Sequence, residues 1–357
     1  MTRMLRLVAM ALTMAAGWGI AQTGPAVQQG DYVAHDFHFR SGESLAGMKL
    51  HYRTLGTPHR DAQGHVDNAV LIMHGTGGTG AQFLAPYFAG VLFGPGQLLD
   101  AAKYYIVLPD DIGHGGSAKP SDGLHAHFPH YDYDDMVAAE HLLLTEGLHV
   151  DHLRLTMGTS MGCMHSWVWG ETYPGFSDAL MPLACLPVQI AGRNRMMRKM
   201  AMDGITSDPA WKGGDYTTQP PGLRIALEML MIMSSSPLQM QEHEPKRDEA
   251  DAYVENFLNS HLAATDANDF LYAFNSSRNY DPSVKLETIT VPVMAVNSAD
   301  DFVNPPELNI MPEMIKRVPR GKYVLLPITE QTRGHGTHTM AAVWQSYLAE
   351  LLQESRK

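Results

Sequence analysis

The stretch LTMGTSMGCMH (155–165) holds Ser160 in the spacing G-x-S-x-G. A serine hydroxyl is a poor nucleophile until a base takes its proton. The motif therefore demands a histidine and an orienting carboxylate elsewhere in the chain. Both lie downstream, in the order serine, acid, histidine that a strand–turn–helix nucleophile requires. Asp300 and Asp301 follow the run VPVMAVNS, and His335 sits between Gly334 and Gly336 in PITEQTRGHGTHTM. The chain has 18 histidines, so only position singles one out: His335 falls between an apolar run and the last helix-length segment, with His338 as its near rival. Asp300 and Asp301 are alternatives as the acid. Such a set performs acyl transfer through an acyl-enzyme, and the oxyanion formed needs backbone N–H donors. Met161, just after Ser160, and Thr76, in the glycine-rich HGTGGTG, are the candidates. That loop has no G-K-[ST] ending and is no phosphate cradle.

The elements around these residues read as a parallel sheet. NAVLIMHG (68–75), YYIVLPD (104–110), DHLRLTMGTS (151–160), DALMPLAC (178–185), VPVMAVNS (291–298) and KYVLLPIT (322–329) are short apolar runs typical of strands buried on both faces. Helix-length segments at 132–146, 161–173, 306–317 and 338–354 alternate with them, which predicts βαβ units covered by helices on both faces. Ser160, the Asp300–Asp301 pair and His335 each follow a predicted strand, where such a sheet presents its site. YVAHDFHFRSGESLAGMKLHYRTLG alternates around a Ser-Gly turn and predicts an entering hairpin. From 188 to 285 no strand is predicted; amphipathic helical patterns there predict an inserted helical cap. The expected organisation is a leader (1–21), a core (22–187), the cap (188–285) and the rest of the core (286–357). Methionines crowd the cap, and Met202 and Met229 are its candidates for the substrate pocket.

Charge and composition narrow the class. The 357 residues carry a formal net charge of -12 and no basic run, which argues against nucleic-acid binding. MTRMLRLVAMALTMAAGWGIAQ begins with Arg3 and Arg6, continues through an apolar stretch and ends in small residues, the pattern of a secretory signal peptide. A periplasmic or secreted protein is expected, with no stable membrane span after processing. Cys163 and Cys185 are the only cysteines. They read first as buried free thiols, and an oxidising compartment would also allow one disulfide. His125, His127 and His130 in HAHFPHYDYDD lack a fixed ligand spacing, so no metal and no organic cofactor is expected. His114 and Ser117 in DDIGHGGS read as loop-shaping residues.

The chain resembles the homoserine O-acetyltransferase family of the α/β-hydrolase fold. The resemblance rests on LHYRTLGTPHRDAQGHVDNAVLIMHGTGG, on FGPGQLLDAAKYYIVLPDDIGHGGSAKPS, on FPHYDYDDMVAAEHLLL, on GTSMGCMHSWVWGETYP at the nucleophile turn, and on DPAWKGGDYTTQPPGLRIA in the cap. It implies Ser160 as nucleophile, His335 as base and Asp301 as acid, since Pro305 four residues on matches the family's acid-to-proline spacing. It also implies a homodimer through the cap. Two departures bear on the substrate. Gly336 follows His335 where the family usually has Asp, and Met202 stands near the position of the family's carboxylate-binding Arg, with Arg195 and Arg198 close by. Acetyl-CoA is a cytoplasmic metabolite that an exported protein would not meet. The expectation is an exported serine hydrolase acting on small-molecule carboxylic esters. An O-acyltransferase using the same acyl-enzyme is the first alternative, and a non-catalytic binding protein on the same fold the second.

Overall fold

A computed structural model describes residues 26–356; the expected leader, 1–21, lies outside them. Eight strands form one sheet: β1 (Val27–His38), β2 (Ser44–Leu55), β3 (Ala69–Met73), β4 (Tyr105–Pro109), β5 (Leu155–Thr159), β6 (Leu180–Leu183), β7 (Val293–Ser298) and β8 (Gly321–Leu326). Their spatial order is β1-β2-β4-β3-β5-β6-β7-β8. The β1–β2 hairpin is antiparallel and joins β4 antiparallel; the pairings from β4 through β8 are parallel.

The helices are α1 (Ala89–Leu92), α2 (Tyr133–Leu142), α3 (Met161–Thr172), α4 (Gly192–Thr206), α5 (Leu223–Ser234), α6 (Pro237–His243), α7 (Arg247–Leu262), α8 (Ala267–Asn275), α9 (Ile310–Met314) and α10 (Ala341–Glu354). The apolar runs are continuous because each central strand feeds two cores. Leu71 and Met73 of β3 and Val107 of β4 face a core shared with α2 and α3. Val70 and Ile72 of β3 and Ile106 and Leu108 of β4 face the core shared with α1 and α10. A side-chain period of two requires that division when both faces are covered. KYVLLPIT differs from the expectation: β8 is the sheet edge, has one neighbouring strand, and is half-exposed along most of its length.

Helices α4 to α8 all lie between β6 and β7 and pack around a third apolar cluster of their own, including Met197, Ile205, Leu223, Leu227 and Phe274. Ser121 donates through both its N–H (2.8 Å) and its hydroxyl (2.6 Å) to the Asp269 carboxylate on α8, tying this cluster to the loop after β4. Cys163 and Cys185 are joined in a disulfide spanning 22 residues, so the free-thiol expectation is corrected. The bond connects the first turn of α3 to the residue two beyond β6, and both cysteines are buried.

Candidate active site

Ser160 occupies the one-residue turn between β5 and α3, with φ 54° and ψ -104°. A non-glycine residue there is strained, and the surroundings must hold it. They do so by backbone contact. A Cβ on Gly158 would lie 2.2 Å from the Gly162 carbonyl oxygen, and one on Gly162 would lie 2.2 Å from that of Met73. Glycine at both positions lets the turn close against itself and against β3. The Ser160 N–H donates to Leu183 O of β6 and the Gly162 N–H to His74 O, both at 2.9 Å.

The serine meets its partners directly. His335 Nε2 is 2.8 Å from Ser160 Oγ, and His335 Nδ1 is 2.9 Å from Asp301 Oδ2. A carboxylate can only accept from Nδ1–H, so Nε2 presents a lone pair to the hydroxyl. Asp301 has a fully buried side chain. Burial raises its pKa, but the charge attraction and hydrogen bond of His335, with donors from Asn304 and the Val303 N–H, outweigh this and leave it lowered. Asp300 does not touch the imidazole: its Oδ2 accepts from the Gly334 N–H at 2.8 Å and holds the histidine loop. His338 lies edge-on to His335 at 5.2 Å between ring centroids. Its burial, then the nearby His335, push its pKa down to about 3.

The glycine loop after β3 closes over the serine. A Cβ on Gly75 would be 3.3 Å from Ser160 Cβ, so this backbone passes at van der Waals distance. Gly78 N–H donates to Gly75 O at 2.9 Å, and the loop is anchored from below by Asp110, whose Oδ1 accepts from Gly80 N–H at 2.8 Å and Arg53 Nη1 at 2.7 Å. The N–H groups of Met161 and Thr76 have no acceptor among the described residues. The arrangement is competent for attack by a serine oxygen on a carbonyl carbon.

A cavity of about 380 Å³ opens on Ser160 and His335. Its walls come from residues 184–194 after β6 and from 303–310 after β7, with Met164 from α3. Met202 and Met229 are not among its lining residues, which corrects that expectation: both pack against the cap's internal cluster. The sequence reading missed the wall because much of it is loop backbone bent by Ala184 at φ 67°, and its helical part is the N-terminal portion of α4, including Arg193, Asn194 and Arg198, rather than a methionine-bearing face. One polar group stands out. Arg198, 3% exposed, lines the cavity, donates to Asn194 Oδ1 (3.1 Å) and Ser277 Oγ (3.2 Å), and has no carboxylate partner among the described residues.

The remaining sequence candidates are accounted for locally. Ser117 Oγ donates to Asp110 O and His114 Nδ1 to Ile112 O, so both shape their loop. His130 pairs with Glu43 at 3.2 Å. His125, His127 and His130 form no ligand cluster; the described residues contain one such group elsewhere, Asp111, Glu140 and His165. No described helix is long and apolar enough to cross a membrane.

No family model matches the chain. Among curated proteins, it is 28% identical over 295 residues to a probable acyltransferase of Methanothermobacter thermautotrophicus, spanning 82% of this chain and 89% of that one. It is 28% identical over 347 residues to a homoserine O-acetyltransferase of Pelobacter propionicus, spanning 86% and 91%. Among solved structures it superposes on a homoserine O-acetyltransferase from Bacillus anthracis with a TM-score of 0.80 at 19% identity, over 93% of this chain and 98% of that one. An acetylester hydrolase from Corynebacterium glutamicum gives 0.78 at 19% identity, over 91% and 96%. At those identities the structures speak for the fold, and the sequence relatives for the lineage. The chain has the α/β-hydrolase fold and is similar over most of its length to homoserine O-acetyltransferases.

Proposed function

We propose that this protein is an exported serine hydrolase that cleaves carboxylic esters of small molecules. The observation that carries the reading is the hydrogen-bonded line Asp301–His335–Ser160, 2.9 and 2.8 Å long, at the floor of an accessible cavity. His335 Nε2 takes the hydroxyl proton as Ser160 Oγ attacks the ester carbonyl. The N–H groups of Met161 and Thr76 receive the developing oxyanion. His335 then gives its proton to the departing alcohol, leaving an acyl-enzyme. A water, deprotonated by the same imidazole, releases the acid and restores the serine. Asp301 holds the imidazole in the tautomer that accepts from serine and stabilises its charged form.

Hydrolysis is favoured over transfer by the cavity's largely apolar wall, with Met164, Val188, Ile190, Val303 and Leu308, and by Gly336 following the histidine. The second reading, O-acyl transfer from the same acyl-enzyme, is favoured by Arg198. A buried guanidinium without an acid suits a substrate that carries a carboxylate. Relatives of both kinds exist, named as homoserine acetyltransferases and as an acetylester hydrolase. Export is supported by the leader pattern and by the Cys163–Cys185 disulfide, a bond that persists mainly in oxidising compartments.

The test is a series of p-nitrophenyl esters of increasing acyl length, run beside acetyl-CoA plus homoserine. Ester turnover that vanishes in Ser160→Ala, together with loss of fluorophosphonate labelling, is the expected result. Rapid homoserine acetylation without ester hydrolysis would replace the reading with the transferase one. A wild-type protein that neither turns over esters nor labels would leave the fold as a binding protein. Fractionation of the native host tests export: the protein is expected outside the cytoplasm with residues 1–21 removed.

A further inference from the structure

Beneath the nucleophile turn, three buried titratable side chains converge from three elements. Asp111 follows β4, Glu140 is on α2 and His165 is on α3; their ligand atoms lie within 4.8 Å of one another. His165 Nδ1 is 3.1 Å from Glu140 Oε1 and 3.6 Å from Asp111 Oδ2. The Asp111 and His165 side chains have no exposure, and that of Glu140 has 2%. Trp169 Nε1 donates to the second Glu140 oxygen. Neither carboxylate oxygen of Asp111 receives a hydrogen bond from a donor group.

The charge balance of this group is the problem to be solved. The two carboxyl groups are buried beside His165, whose ring packs edge-on against Tyr133 at 4.8 Å between centroids, and an unneutralised pair there would cost many kcal/mol. The neighbouring bases do not supply the charge. Arg53 is directed at Asp110. His74 Nε2 is 3.6 Å from Asp111 Oδ2, but that nitrogen already accepts the Asp111 backbone N–H, while Nδ1 donates to Gly75 O. An N–H can only donate and a carbonyl can only accept, so His74 is neutral and turns a lone pair toward the site. His114 Nδ1 is likewise spent on Ile112 O. The charge is therefore met within the group itself, by a proton on a carboxyl or on His165, or by a metal dication.

The donor set fits a metal. Asp111 and Glu140 each offer a carboxylate oxygen and His165 one nitrogen. The 3.1 and 3.6 Å separations match the edges of a four-coordinate shell with bonds of about 2.0–2.2 Å. Imidazole with carboxylates selects zinc-like transition ions over magnesium or calcium. Trp169 on the far oxygen of Glu140 is the kind of outer partner that fixes a ligating carboxylate. We propose that Asp111, Glu140 and His165 bind one zinc-type dication, a buried structural site pinning the loop after β4 and α2 to the nucleophile helix. None of the three lines the cavity at Ser160, so the site stands apart from the ester chemistry and does not depend on it.

The full-length protein would be refolded from denaturant in oxidising, metal-depleted buffer, with and without Zn²⁺, and its bound metal measured by mass spectrometry after desalting. About one equivalent of zinc per chain and a higher Tm than the metal-free preparation are expected, with no gain from Mg²⁺. Asp111→Asn and Glu140→Gln should each hold at least about tenfold less metal. Refolding with Co²⁺ should give the visible absorption bands of a low-coordinate site, a readout that does not need the variants to fold. Wild-type protein that refolds equally well without metal, and emerges from Zn²⁺ free of it, would overturn the proposal and leave a proton on a carboxyl or on His165 in its place.

Discussion

Asp300 and Asp301 are neighbours in sequence, yet they hold two different parts of one histidine loop. Asp301 Oδ2 accepts from the His335 ring at 2.9 Å, and Asp300 Oδ2 accepts from the Gly334 backbone N–H at 2.8 Å. One orients the imidazole and the other positions the chain that carries it. The two substitutions should therefore separate. Asp301→Asn leaves a side chain that favours the wrong imidazole tautomer, and kcat is expected to fall about 10⁴-fold. Asp300→Asn still offers an oxygen to Gly334, and kcat is expected to stay within about tenfold of wild type. Ester hydrolysis by both variants under saturating substrate is the measurement. Equal losses would contradict the division of labour.

The turn at Ser160 tolerates no added methyl. Gly158→Ala and Gly162→Ala each place a carbon 2.2 Å from a backbone oxygen, and neither oxygen can retreat without moving β5, α3 or β3. Both variants are expected to lose most soluble yield, and any folded fraction should label poorly with fluorophosphonate. Full yield and full labelling of either would show that the turn has slack the structure does not indicate.

The disulfide closes a loop of 22 residues. In the loop-entropy account a crosslink of that length stabilises by about 3 kcal/mol. Cys163→Ala/Cys185→Ala is expected to unfold at markedly lower temperature, and wild type under reductant should approach it. An unchanged melting temperature in the double variant would mean that packing alone holds this corner.

Asp269 gives the cap a pH dependence of definite sign. Burial raises its pKa to about 6, against the hydrogen bonds of Ser121, which lower it. A carboxyl raised on folding contributes most stability below its unfolded pKa of about 4 and loses it as pH rises through about 6. Asn can keep both partners, since its oxygen accepts the Ser121 N–H and its amide can donate to the Ser121 hydroxyl. Melting curves should show Asp269→Asn gaining on wild type between pH 4 and pH 7. Parallel curves for the two proteins would contradict the shift.

Much of the site was legible because its parts follow strands in a fixed order. Ser160 and His335 could be read from that order, and Gly158 and Gly162 explain why the motif has its form. The choice between Asp300 and Asp301 rested on a resemblance, because adjacent residues in a tight turn point different ways and no periodicity says which. The pocket was misread for a related reason. Met202 and Met229 lie on amphipathic helices, but their faces are used to build the cap's own core, and the cavity is walled mainly by irregular backbone after β6 and β7 and by the start of α4. Asp111, Glu140 and His165 gave no signal, since each is unremarkable in its own segment and only the packing of the loop after β4, α2 and α3 brings them together.

Cys185 lies on the cavity wall and is bonded to Cys163, three residues beyond the serine. That side of the chamber is thus covalently continuous with the nucleophile's own helix. Widening it would drag the serine out of register with His335. Variation in acyl size among close relatives that keep both cysteines should therefore be written at Leu308 and Ile310, which line the chamber beyond the Val303 and Asn304 donors that hold Asp301.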